Sequence, residues 1–76
     1  MNIDNLIEMA NDIGNYFKSE PDHEAAVNGV YTHMNRFWEI RMQRQILDYL
    51  ERDGSLLAPH VAEAVSRLKS NINETE

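Results

Sequence analysis

From Asn2 to Ser19 the apolar residues stand at Ile3, Leu6, Ile7, Ala10, Ile13 and Phe17, a spacing of threes and fours that lines one face of a helix. The same period returns further along: Val27, Val30, Tyr31, Met34, Phe37 and Trp38, then Ile40, Gln43, Ile46, Leu47 and Leu50, then Val61, Ala64, Val65 and Leu68. A chain of 76 residues has room for one core, so these stripes must turn inward on each other. The spacing predicts an all-α fold, a small three- to four-helix bundle. Residues 1–69 form the single helical domain, and the polar, acidic residues 70–76, with Ile72 their one apolar member, form a disordered tail.

The punctuation between stripes says where the helices end. Asn2 or Asp4 can cap the first helix, and Asp4 and Glu8 suit the positive end of its dipole. Gly14, inside the pattern, is expected to let another helix approach closely. Ser19-Glu20-Pro21-Asp22 breaks the run and starts a second helix near Asp22, with Ala25, Ala26 and Gly29 as a small-residue side. No Pro or Gly occurs from Val30 to Asp53, so residues 22–52 fit either one long helix or two; the break is expected near Trp38 to Ile40. Asp53-Gly54-Ser55 is a stop, with Gly54 the left-handed residue after the helix, and Pro59 opens the last one. Ala58, at the apparent cap, has no side-chain acceptor.

Charge and composition narrow the function. With no cysteine, the chain cannot form disulfides, thiolate metal sites, iron-sulfur clusters or a cysteine nucleophile. A domain this small without such staples is expected to gain stability from docking or oligomerisation. The net charge is −6, concentrated before residue 33, where Asp4, Glu8, Asp12, Glu20, Asp22 and Glu24 face Lys18 alone. Such a surface repels a polyanion, so no nucleic-acid partner is expected. No apolar run is long enough to span a membrane and the N-terminus is acidic rather than basic, so a membrane is not expected and the cytoplasm is the expected location.

Little here points to chemistry. His23, His33 and His60 have no ligand spacing among themselves, and Glu20-Pro21-Asp22-His23 spells a Glu-x-x-His across a proline turn. His33 lies one residue off the Met34 stripe and reads as a boundary residue; the serines lie in turns or helix ends with no acid-His pair at motif spacing, and the three glycines are scattered. No catalytic, cofactor-binding or metal-binding residue is assigned. The informative stretch is Arg36-Phe37-Trp38-Glu39-Ile40-Arg41-Met42, inside residues 33–52, the one segment with a net positive charge, and rich in residue types that interfaces favour. Phe37 is expected in the core, Trp38 falls between core and interface, and Arg36, Arg41 and Arg44 are expected at the surface. The predicted partner-binding set is Arg36, Trp38, Arg41, Met42 and Arg44.

At this block the sequence resembles the delta subunit of soluble NAD-dependent formate dehydrogenase. The resemblance rests on Met9-Ala10-Asn11-Asp12-Ile13, on Glu20-Pro21-Asp22, on Ala26-Val27 and Gly29-Val30 leading to His33, Met34, Arg36, Phe37 and Trp38, and on Arg41-Met42; Leu50 to Leu57 and Pro59-x-Val61 also fit. Ile40 departs from it where the family usually has Pro, although Glu39 still stands where a capping acid would. The resemblance implies a non-catalytic accessory subunit that supports assembly, stability or cofactor insertion of the large catalytic subunit, itself the implied partner. The other subunits would carry the molybdenum or tungsten pterin, the iron-sulfur clusters, FMN and the NAD site, and this chain no cofactor. In isolation a homodimer that buries the same patch is a further expectation. The alternative is a small helical adaptor or transcriptional regulator that binds protein or nucleic acid.

Overall fold

The computed structural model describes residues 2–75. They form four helices, α1 (Ile3–Phe17), α2 (His23–Phe37), α3 (Ile40–Arg52) and α4 (Pro59–Thr75), and no strand among the described residues. Asn2 caps α1 by accepting the Asp4 amide at 2.8 Å, and Asp22 caps α2 by accepting that of Glu24 at 3.2 Å. Gly54, at φ 71°, ends α3 in the left-handed region that a Cβ disfavours.

The stripes meet in one core. Leu6, Ala10, Val27, Val30, Met34, Ile46, Val61, Ala64, Val65 and Leu68 have no exposed surface, and α4 packs chiefly against α2 and α3. A Cβ on Gly14 would collide with the Val61 side chain, so this glycine lets α1 and α4 touch, as its place in the stripe suggests. At the same crossing His60 Nε2 donates to the Gly14 carbonyl at 2.8 Å. Asn11 serves the uncapped start of α4 from across the bundle: its Oδ1 accepts the Ala58 amide at 3.1 Å and its Nδ2 donates to the Leu56 carbonyl at 2.8 Å.

Two expectations are corrected. α4 runs past Ser70 to Thr75, because Ile72 extends the Val61, Val65, Leu68 row by one more turn and is 5% exposed in the core. The segment from Ser70 is therefore part of the bundle rather than a disordered tail; only Glu76, of that tail, lies outside the described residues. The second correction concerns Phe37, which is 70% exposed, while Trp38 is 6% exposed and in the core. The break near Trp38 explains the exchange. Trp38 leaves the helix with φ −95° and ψ 130°, and a step from helical to extended backbone sends neighbouring side chains to different sides.

That corner is held by one buried side chain. Gln43, 1% exposed, donates through Nε2 to the carbonyls of Trp38 at 2.8 Å and Met34 at 3.2 Å, and its Oε1 accepts from Asn71 Nδ2 at 3.2 Å. The glutamine thus ties α3 to the end of α2 and to α4 while occupying an apolar stripe position. Glu39 takes the N-cap position of α3 without a side-chain bond, so the corner does not depend on it. Replacing Gln43 by Leu keeps the volume but strands the Trp38 carbonyl in the core, which costs about 1–3 kcal/mol. Thermal unfolding of Gln43→Leu is expected to show a midpoint lowered by several degrees, with Glu39→Ala close to wild type.

Candidate partner-binding surface

The five residues singled out in the sequence do not form one surface. Arg36 stands exposed in the last turn of α2 and Arg41 in the first turn of α3, on either side of the corner, and neither makes an ion pair among the described residues. Arg44 is exposed on the next turn of α3. Met42 is half-buried against the core and Trp38 lies within it, so both support the corner from beneath. The exposed aromatic at this site is Phe37, tilted against His33 with ring centres 4.9 Å apart.

A second exposed aromatic was missed. Tyr16, 79% exposed, sits edge-on to Phe17 at 4.9 Å. It lies on the flank of α1 beside Ile13, outside the core stripe, which is the one signal the sequence offered. Phe17 lies against α2 because Gly29 leaves room: a Cβ there would stand 2.5 Å from the Phe17 ring. Beside this contact runs a groove lined by Asp12, Ile13, Tyr16, Phe17 and His33. A second groove continues past Phe17 and His33 to Arg36 and Phe37.

Several other charges pair within the fold. Arg67 on α4 grips Glu24 on α2 with two parallel bonds of 2.7 and 2.8 Å, Lys69 meets Glu51 at 3.4 Å, Arg52 meets Asp48 at 2.8 Å, and His23 meets Glu63 at 3.0 Å. His23 thus turns to α4 rather than completing a set with Glu20. Among the described residues no group of three or more His, Cys, Asp or Glu could hold a metal ion, and no helix is long and apolar enough to cross a membrane.

By its fold the chain is a small all-helical domain whose exposed corner offers arginine and aromatic side chains. By its sequence, the profile of the NADH-dependent formate dehydrogenase delta subunit, FdsD, matches residues 5–65, most of the chain, and the chain belongs to that family. Membership implies association with formate dehydrogenase subunits. No curated protein and no solved structure gives a match. Several of the motif residues that carry the resemblance have structural work in this fold: Ala10 and Trp38 are core, Asn11 bridges to the loop before α4, and Gly29 seats Phe17.

The Glu24 and Arg67 pair yields a pH prediction. The Arg67 guanidinium, chiefly through its hydrogen bonds, holds the Glu24 carboxyl below the ordinary glutamate value, and the carboxylate raises Arg67 in return. A depressed carboxylate contributes stability that is complete above its unfolded pKa of about 4.3 and lost as pH falls through the lower folded value. Thermal melts of wild type and Glu24→Gln are expected to differ slightly at pH 6 and to converge as pH drops below 4; the difference is small because the pair is exposed.

Proposed function

We propose that this chain is a non-catalytic accessory subunit of an NAD-dependent formate dehydrogenase of the cytoplasm, and that it supports assembly, stability or cofactor insertion of the large catalytic subunit. The observation that carries this reading is the family match over residues 5–65. The chemistry of formate oxidation and NAD reduction then belongs to the other subunits. This chain contributes by binding. A subunit that binds only the folded form of its partner stabilises it by mass action, by about 2.7 kcal/mol when present at a hundred times the dissociation constant. A rigid domain that loses little freedom on docking is suited to that task.

The docking side runs through the corner from Arg36 to Arg44. Arg36 and Arg41 support this reading, since both are exposed and neither has an ionic partner among the described residues, and arginine forks match carboxylates at interfaces. Met42 and Trp38 shape the corner from inside, so Trp38→Ala reads stability rather than docking, with an expected loss of about 3–5 kcal/mol.

A tagged chain, recovered from its native cytosol with its bound proteins identified by mass spectrometry, is expected to bring down the large formate dehydrogenase subunit, and the eluate to reduce NAD with formate. The double variant Arg36→Glu, Arg41→Glu, helical by circular dichroism, is expected to recover markedly less of that subunit. Recovery of no formate dehydrogenase subunit by the wild-type chain would overturn the reading.

A further inference from the structure

We propose that the face between α1 and α2, from Tyr16 to Phe37, is the seat of an amphipathic helix of a formate dehydrogenase subunit, whose aliphatic ridge enters the paired grooves; this rests on the accessory reading above. Among the described residues Tyr16 and Phe37 are two of the three large apolar side chains left mostly in solvent, and they line two adjoining grooves that share Phe17 and His33. The floor of this paired recess is Phe17, held against α2 by the absence of a side chain at Gly29. A bundle of this size has no internal use for an aromatic recess on its outside. Exposed aromatics around a shallow groove are the kind of anchor on which interface energy concentrates.

The charges at the recess say what kind of helix fits. Asp12 lines only the first groove and Arg36 only the second, so the recess has an acid on one side and a base on the other. Neither makes an ion pair among the described residues. The complementary ridge therefore carries leucine-like side chains between a lysine or arginine facing Asp12 and a carboxylate facing Arg36, the helix-in-groove mode of recognition. A second copy of this chain suits the face less well. Each copy carries a net charge of −6, and Trp38, whose exposure would have called for a covering partner, is covered by the chain's own core.

The test co-expresses the tagged chain with the other formate dehydrogenase subunits and measures how much large subunit each variant recovers. Tyr16→Ala with Phe37→Ala is expected to reduce recovery about tenfold or more with an unchanged thermal midpoint, because both side chains stand in solvent. Asp12→Lys and Arg36→Glu are each expected to reduce it, whereas Leu56→Ala, 63% exposed outside the recess, retains wild-type recovery. Wild-type recovery by the double alanine variant would overturn the proposal and leave the accessory reading standing. Failure of the wild-type chain itself to recover any subunit would instead overturn the accessory reading, and this proposal with it. A dimer of the isolated chain in sedimentation, dissociated by the same two alanines while subunit recovery stays at the wild-type level, would assign the face to a second copy and contradict the proposal.

Discussion

The bundle turns on a single buried amide. No Pro or Gly between Val30 and Asp53 forbids a continuous helix, and a continuous helix would carry the α3 stripe away from the core; Gln43 bonds across the break instead. Gln43 Nε2 bonds the Trp38 carbonyl, left without a helical partner where α2 ends, and adds a second bond to the Met34 carbonyl, which already accepts the Trp38 amide. Its Oε1 takes a bond from Asn71, which ties the same corner to α4. Those bonds form away from water, where leaving them unmade is costly. The break then sets everything near it: Trp38 turns into the core, Phe37 turns out, and Arg36 and Arg41 end up on either side of the corner.

Much of this was legible. The 3.6-residue spacing gave four helices and most of their inner faces, the Pro21 and Gly54 punctuation gave two of the three connections, and the Gly14 position anticipated the close approach of α4. The break near Trp38 followed from the length of helix a small core can use. Other features were not readable because they depend on partners distant in sequence. Gln43 reads as a polar residue in an apolar row until Met34, Trp38 and Asn71 are brought around it. The order of Phe37 and Trp38 depends on the backbone angle of one residue at a helix end, to which periodicity is blind. Ile72 lies beyond a polar stretch, and only its register with Leu68 and Val65 makes it core.

The candidate surface was half legible for the same reason. Composition drew attention to the arginine and aromatic block, and two of its arginines do stand unpaired among the described residues. Tyr16 escaped notice because it lies twenty residues before Arg36 and one step outside the stripe, and only the packing of α1 against α2 places it in one groove with His33. Function at such a surface is a matter of shape and charge, with apolar anchors supplying affinity and the flanking Asp12 and Arg36 supplying orientation.

Hydrogen–deuterium exchange of the chain alone and within the assembled formate dehydrogenase addresses the central claim directly, because it reads which backbone segments docking covers or steadies. The account predicts added protection in the peptides that span residues 12–17 and 33–41, with the outer turns of α4 near Ser66 and Lys69 unchanged. Protection confined to α4, or a chain whose exchange is the same free and assembled, would contradict it.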